Sequence, residues 1–573
     1  MTDDAINRST RAADHPAQEA DPLRWRALGV VLVASFMVLL DISIVNVAIP
    51  TIQRSLGATF AQIQLVFAGY QLSYAVMLIT GGRLGDIFGR KRLFLIGVAG
   101  FTVASALCGL AQSPDALVWS RVIQGLFAAL MYPQVLAVIQ VSFPPKERGA
   151  AFGIFGAVIG VATISGPLVG GLLIEANVLS GWRPIFLVNV PIGIGAMVAA
   201  VFLLKESKAP HRPKVDLPGV ALVTAALGLL TYPLVQGREA GWPTWAFVSL
   251  AASVPMFALF VAYIVWRKRQ QRWPLIDPGL FTDRAFVVGL LICLAFFAGI
   301  PAFFLTFSLY LQIGLGFGAM HAGLTTVPFA VASGFASGAS IRLAPKLGKR
   351  ILMIGITVLM VGMLLLIADV AHFGVAITSL DLVPVLAIAG AGLGLTVAPL
   401  LTIILANIAP SSAGAASGVL TTVQQVGGAL GVALVGVVFF GLLGSHAPDA
   451  ALAQHPTLQQ RLVGDGVPAE AVPTVLDNFD HCFADRAKAA DPSAEPASCR
   501  AGSATRAHFG AVGAQVGADL GRQAGIARSD DFGYSMRWSL LFELGVWALT
   551  LLCIAGLPGL RRAVPAAHVP ESA

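Results

Sequence analysis

The sequence predicts an all-α polytopic membrane protein of fourteen transmembrane helices. Two six-helix halves flank a pair of inserted helices, and both termini are expected in the cytoplasm. Three observations predict this. Charge is scarce: of 573 residues only 12% are Asp, Glu, Lys or Arg and 56% are hydrophobic, against about 25% charged in a soluble domain. Apolar runs long enough to cross a bilayer recur along the whole chain. Two signatures at the ends of such runs occur twice, at nearly the same offset. So little polar surface cannot wrap a water-soluble protein of this size, which excludes a cytosolic enzyme, a nucleic-acid binder and a disordered scaffold.

Residues 1–25 form a polar tail, and the apolar run after it has no small-residue cleavage site, so it is expected to remain as an anchor. Windows of about 20 mostly apolar residues place spans near Ala27, Gln62, Leu93, Ala116, Ala150, Pro184, Gly219, Trp245, Phe286, Gly323, Ile351, Val383, Ser417 and Trp538. Helices are expected, because lipid offers the backbone no partner and the runs lack the alternation of barrel strands. The expected organisation is a first half at 26–204, a cytoplasmic linker at 205–218, inserted helices 7 and 8 at 219–266, and a second linker at 267–284. Helices 9–13 follow at 285–443, an extracytoplasmic loop at 444–536, helix 14 at 537–558 and a cytoplasmic tail at 559–573.

Basic residues set the orientation. With the N-terminus inside, 25 Lys and Arg fall in cytoplasmic segments, among them Arg83, Arg90, Lys91, Arg92, Arg267 and Lys349. The short outer loops hold only Arg54, Arg183 and Arg238. This is the positive-inside bias, which long loops such as 444–536 do not obey. The net charge of +7 follows from it and says nothing of nucleic acid.

The repeat is read from two matches. Gly82-Arg-Leu-Gly-Asp-Ile-Phe-Gly-Arg-Lys91 returns as Ile341-Arg-Leu-Ala-Pro-Lys-Leu-Gly-Lys-Arg350, an offset of 259. Pro145-Lys-Glu-Arg-Gly-Ala-Ala-Phe-Gly153 returns as Pro410-Ser-Ser-Ala-Gly-Ala-Ala-Ser-Gly418, an offset of 265. Helices 1–6 then pair with 9–14, and parallel six-helix repeats with a substrate site between them describe one large group of secondary transporters.

Several motifs now carry a specific resemblance. Gly82-x-Leu84-x-Asp86-x-x-Gly89-Arg90-Lys91 resembles the loop 2–3 motif of the major facilitator superfamily, with Gly85 and Ile87 departing from its commoner residues. Arg121-x-x-Gln124-Gly125 resembles the helix 4 motif, and Gly160…Gly166-Pro167-x-x-Gly170-Gly171 the helix 5 motif of antiporters. Leu40-Asp41-Ile-Ser-Ile-Val-Asn46-Val-Ala-Ile-Pro50 and Trp182-Arg183-Pro-Ile-Phe186-Leu-Val-Asn189-Val-Pro191 are similar to the 14-helix drug:proton antiporter branch. The resemblance covers Arg26 to Leu443 and the last helix, and it implies the major facilitator fold.

Asp41 lies in the middle of helix 1, where a charge costs roughly 2.5–3.5 kcal/mol on insertion scales. It is read as a carboxylate that alternately holds a proton and a cationic substrate, rather than one that only packs the helix. Arg121 lies six residues past Asp115, ~9 Å below the outer end of helix 4, and Asp41 lies 15 residues past Arg26, ~22 Å from the inner end. In a core of ~30 Å these depths nearly coincide, so the two are expected to interact, and the resemblance gives Arg121 a role in proton coupling. It also implies that Asp86, with Arg90, Gly82 and Gly89, docks near the helix 13 N-terminus around Ser411–Ser417 as a conformational latch. Gly166, Pro167, Gly170 and Gly171 are read either as close packing or as a bending gate.

Tyr70, Gln71, Gln124, Gln312, Gln424, Gln425 and Glu543 are candidates for the wall of a substrate cavity, although snorkelling to the outer interface is preferred for Glu543. Cys482 and Cys499, in the one long polar stretch, are expected to form a disulfide rather than hold a metal. The expected function is proton-coupled export of amphipathic or cationic drugs and toxic compounds from the cytoplasm by alternating access, by a monomeric unit in a bacterial inner or plasma membrane. No phosphate-binding Gly-x-x-x-x-Gly-Lys loop occurs, so no cofactor is expected and the proton motive force is the energy source. A dedicated exporter of one endogenous cargo (lipid, siderophore or self-made antibiotic) and a non-transporting membrane sensor are the alternatives.

Overall fold

The computed structural model describes residues 22–177, 179, 181–208, 215–237, 240–405, 413–489, 496–500 and 512–555. The first half comprises α1 (Arg24–Leu56), α2 (Phe60–Phe88), α3 (Arg90–Leu110), α4 (Pro114–Ser142), α5 (Pro145–Glu175) and α6 (Pro184–Leu203). Next come α7 (Leu217–Gln236) and α8 (Thr244–Arg269), followed by α9 (Arg284–Leu309), which continues as a π turn at Tyr310–Gly314. The rest is α10 (Ala319–Leu347), α11 (Arg350–Phe373), α12 (Ser379–Leu405), α13 (Ala413–Leu452), α14 (His455–Gly464), α15 (Val472–Lys488) and α16 (Gly513–Ala555). Twelve helices among the described residues are long and apolar enough to cross a membrane. Helices α5 and α10, of 31 and 29 residues, stand at the other two expected positions.

Local chemistry explains the boundaries. Thr59 and Gln62 form a capping box at the start of α2, Ser113 caps α4 ahead of Pro114, and Asp283 accepts two amide N–H groups at the start of α9. Gly89 separates α2 from α3 at φ +114°, where a Cβ would also lie 2.4 Å from the Glu206 carboxylate; only glycine fits such a position. Helix α6 is interrupted at Val188. Pro191 has no N–H to give the Leu187 carbonyl one turn back.

The same pairings recur in the two halves. Helix α2 packs on α4 as α10 packs on α12, α1 on α5 as α9 on α13, and α6 on α1 and α3 as α16 on α9 and α11. Between the halves, α2 meets α13 and α5 meets α10, again equivalent pairs. The α2–α13 contact runs from Phe60 down to Ile79, where Gly418 stands at ordinary contact distance and Thr422 donates to the Ala75 carbonyl, and the loop-bearing end adds further links. There the Phe60 and Phe440 rings stand 4.2 Å apart, Ser308 donates to the Asn46 carbonyl at 2.7 Å, and Gln312 donates to the Val47 carbonyl at 3.1 Å. Towards the opposite, basic end, a Cβ on Gly334 or Gly338 of α10 would meet nothing within 4 Å. The halves are closed against each other at the loop-bearing end.

Helices α7 and α8 form a peripheral pair. Val235 of α7 reaches Ala61 of α2 and Ala433 of α13, while Leu217, Phe247, Val248 and Val254 are exposed on a surface suited to lipid.

The long loop departs from expectation. Helix α13 runs on to Leu452, and α16 begins at Gly513 rather than near Trp538. A hydropathy criterion stops where the apolar run ends, whereas these helices continue through more polar sequence. With α14 and α15 they enclose a small core of Leu458, Leu462, Val475, Phe479 and Val516. His455 pairs with Asp480 and Arg461 with Asp519, each at 2.9 Å. Cys482 and Cys499 form the disulfide.

So small a core depends on its cross-link, and closing a loop of this size stabilises by about 3 kcal/mol on a chain-entropy basis. Cys499→Ser is expected to expose residues 472–500 to limited proteolysis at temperatures where the native protein resists. Equal resistance of the two would show that the bridge contributes nothing.

Candidate functional site

In the first half, five of the six helices converge on one carboxylate. Asp41 of α1 is 0% exposed and Arg121 of α4 is 1% exposed. Arg121 Nη1 donates to Asp41 Oδ2 and to Gln124 Oε1 at 2.7 Å, one turn along α4. Gln124 Nε2 donates to the other carboxylate oxygen at 2.9 Å, and Asn189 Nδ2 of α6 reaches that same oxygen at 3.3 Å. Ser105 of α3 ties the amides together, accepting from Gln124 at 3.2 Å and Asn189 at 3.1 Å while donating to the Phe186 carbonyl. Beneath the guanidinium, the Tyr70 ring of α2 lies 4.1 Å away in a cation–π contact, and the Val66 carbonyl accepts from Nε.

Each neighbour lowers the cost of keeping two charges out of water. A buried pair is tolerated only when its remaining hydrogen-bonding capacity is filled, and here two amide donors to Asp41, two oxygen acceptors for Arg121 and an aromatic face serve it. Depth along the helices brings Asp41 and Arg121 to one level, while the break in α6 leaves Asn189 at the start of a helical segment. Protonating Asp41 removes the negative partner but leaves Arg121 charged, so this cluster can change its net charge by one.

The structure places the other sequence candidates as follows. Tyr70 and Gln124 belong to the ion-pair cluster. Gln71 is buried between α2 and α13, where a Cβ on Gly428 would lie 2.7 Å from its Oε1. Gln312 bridges the halves, and Gln424 and Gln425 are half-buried. Glu543 does not snorkel: it is 1% exposed, and neither carboxylate oxygen has a hydrogen-bond partner. Snorkelling was expected from its sequence distance to Arg537, but the side chain is enclosed by neighbouring helices.

Asp86 is paired with Arg90 one turn on, at 2.9 Å. Of the expected dock, Ser411 and Ser412 lie outside the described residues. Gly82 stands against Pro133 at ordinary contact distance. The helix 5 glycines are close-approach positions. A Cβ on Gly166 would lie 2.0 Å from Ser43 Oγ, one on Gly170 2.8 Å from the Ile44 side chain, and one on Gly171 2.7 Å from Met320 Cα in the other half. The carbonyl of Pro167 would in turn lie 2.5 Å from a Cβ on Gly323.

A second buried carboxylate was missed. Asp216, before α7, is fully buried; it accepts from Tyr263 Oη at 2.8 Å and from the Leu275 amide at 2.7 Å, and lies 3.2 Å from Arg267 Nη1. Arg83 donates to the Pro274 and Leu275 carbonyls. The 2–3 loop, the inserted pair and the linker into the second half thus share one polar junction. In the sequence Asp216 is one acid in a polar linker, with nothing to mark it. At the same end, Arg24 grips Glu147 through two bonds of 2.8 and 2.9 Å and holds its carboxyl below the usual range.

Comparison with known proteins adds to this geometry. The profile of the Major Facilitator Superfamily matches residues 31–432. The chain is 44% identical over 481 residues to a probable actinorhodin transporter of Streptomyces coelicolor, covering 83% of each chain. It is 36% identical to a tetracenomycin C resistance and export protein of Streptomyces glaucescens, over 78% of this chain and 82% of that one. In structure it is similar to a bacterial homologue of the human lysosomal transporter Spinster, in an inward-facing and unoccupied conformation. The TM-score is 0.56 at 18% identity, covering 94% of this chain and 98% of the other.

Removing one partner of a buried pair costs about 3–5 kcal/mol, because it strands the other charge. Arg121→Gln is therefore expected to lower the thermal unfolding midpoint in detergent sharply, and Asp41→Asn combined with it to restore much of the loss. Losses that simply add would contradict the pairing. Gly171→Val should separate α5 from α10. A cysteine placed at Asn46 would then react faster with an impermeant maleimide added on the loop-bearing side; an unchanged rate would remove the closure from this contact.

Proposed function

The chain belongs to the major facilitator superfamily, a multi-pass bacterial membrane protein, and from that premise we propose that it exports amphipathic or cationic drugs from the cytoplasm in exchange for protons. The observation that carries this reading is the buried Asp41–Arg121 pair, surrounded by Gln124, Asn189, Ser105 and Tyr70. The names of the relatives, an actinorhodin transporter and a tetracenomycin C exporter, support drug export as the direction and small molecules as the cargo.

In this account the tails and the basic end face the cytoplasm, fourteen helices cross the bilayer, and one chain is the transport unit. With the loop-bearing end closed, substrate enters from the cytoplasm and binds between the halves, where its positive charge favours ionised Asp41. Reorientation exposes the site to the outside, where a proton on Asp41 neutralises the carboxylate and releases the cation. Proton and substrate are negatively linked, and the coupling is reciprocal. The Asp86–Arg90 and Arg83 contacts hold the basic end of the first half and change partners as the halves rock. No cofactor takes part. A potential of 100 mV supplies about 2.3 kcal/mol per charge moved, enough for about a 50-fold gradient.

Proteoliposomes test the proposal. Efflux of a lipophilic cationic dye is expected to stop when an uncoupler collapses the proton gradient, and to lose its dependence on that gradient in Asp41→Asn. Proton-driven export undiminished in Asp41→Asn would remove Asp41 from coupling.

A further inference from the structure

The pseudo-symmetry of the halves singles out a second carboxyl. In the first half, Asn189 lies on α6 six residues past Arg183 and donates to Asp41. In the second half, Glu543 lies on α16 six residues past Arg537, and α16 occupies the place of α6 in the packing. The acid has changed helices. At the repeat offset of 259, the position of Asp41 is taken on α9 by Ile300; at 265, that of Arg121 is taken on α12 by Leu386. The second half therefore buries a carboxyl where the first buries an amide, and among the described residues no arginine bonds it: Arg537, on the same helix, leaves its own buried Nε without a partner.

No other neighbour supplies a partner. Among the elements packed on α16, α9 carries Arg284 at its first residue and Cys293 within, and the π turn carries Tyr310. Helix α11 carries Arg350 at its first residue and Asp369 and His372 near its last, α13 carries His446 and Asp449 near its end, and α14 carries His455 and Arg461. None of them forms a hydrogen bond or ion pair with Glu543, both of whose oxygens are unpartnered. His446, His455 and Arg461 are engaged by Asp531, Asp480 and Asp519. An ionised carboxylate without a partner is costly in this arrangement of the halves, so the enclosed group holds a proton until reorientation admits water to it.

Buried hydroxyls lead along α16 to Glu543. Ser535 and Ser539 precede it by two turns and one turn, four residues apart, and so lie on one face of α16. Both are fully buried, and both hydroxyls lack a partner. One turn beyond Glu543 the stripe ends at Trp547, fully buried, whose indole donates to the Phe296 carbonyl and would leave a Cβ on Gly299 only 2.5 Å of room. The unpartnered polar atoms thus run from the loop-bearing side inward to Glu543 and stop at an aromatic plug.

We propose that Glu543 is a second proton-carrying carboxyl, loaded from the loop-bearing side along Ser535 and Ser539 and discharged to the opposite side when the halves reorient. In the loading step the Glu543 carboxylate takes a proton from hydronium on the loop-bearing side and leaves water; in the discharge step the carboxyl O–H gives it to water at the basic end, forming hydronium and the carboxylate. This rests on the antiport reading and adds one proton to each cycle.

The test measures the proton-to-substrate ratio in proteoliposomes, from the pH gradient that just balances a fixed substrate gradient, for the native protein, Glu543→Gln, Glu543→Asp and Asp41→Asn. The expected result is a ratio lower by one in Glu543→Gln and unchanged in Glu543→Asp. In the native protein, dicyclohexylcarbodiimide, which attacks buried protonated carboxyls, is expected to label Glu543, as read by peptide mapping. An unchanged ratio in Glu543→Gln overturns the proposal while leaving antiport intact. Should that variant not fold, absence of the label on native Glu543 overturns it. Substrate flux indifferent to pH in the native protein would overturn the antiport reading itself.

Discussion

The structure depends on one constraint: a charge placed in the apolar interior must find its complement there. The Asp41–Arg121 pair meets that constraint by drawing side chains from α1, α2, α3, α4 and α6 to a single point. Each helix is thereby fixed in rotation as well as in depth, since Ser105, Gln124 and Asn189 must all present a polar group to the same carboxylate. Hydrophobic packing alone would not do this, because lipid tails solvate apolar side chains as well as another helix does. The polar cluster gives the first half a defined arrangement, and the proposed mechanism uses that arrangement in two charge states.

The second half is built on the same helix pairings with the charges removed. Ile300 and Leu386 stand where the repeat would put Asp41 and Arg121, and aromatic contacts among Phe303, Phe304, Phe307 and Phe329 join α9 to α10. Its contribution to the interface is close backbone approach at the loop-bearing end. Gly171 against Met320 and Gly323 against Pro167 allow α5 and α10 to touch without intervening side chains. Closure at that end and polar junctions at the other, built on Asp86, Arg83 and Asp216, are the two boundaries between which the proposed cycle has the halves move.

Much of this was legible in the chain because bilayer physics projects onto one dimension. The depths of Asp41 and Arg121 follow from counting residues along their helices, and every expected span start falls within a helix. What was not legible depends on lateral position. Asn189 and Ser105 carry no signal of their own until α6 and α3 are placed beside α1. Asp216 sits in a polar linker and becomes notable only when Tyr263, Arg267 and Leu275 close over it. Glu543 was misplaced because distance to Arg537 along the helix says nothing of which neighbours enclose it. The extension of α16 back to Gly513 escaped for the opposite reason, since its polar half has the composition of a loop.

The central claim is that a proton and a cationic substrate compete through Asp41. Proton release on binding addresses it most directly, with purified protein in weakly buffered detergent titrated with a lipophilic cationic dye. The account predicts that the native protein releases protons on binding and that dye affinity rises with pH, because only ionised Asp41 attracts the cation. Asp41→Asn should release one proton fewer and lose most of that pH dependence. Equal release from the two proteins, or an affinity indifferent to pH in the native one, would contradict it.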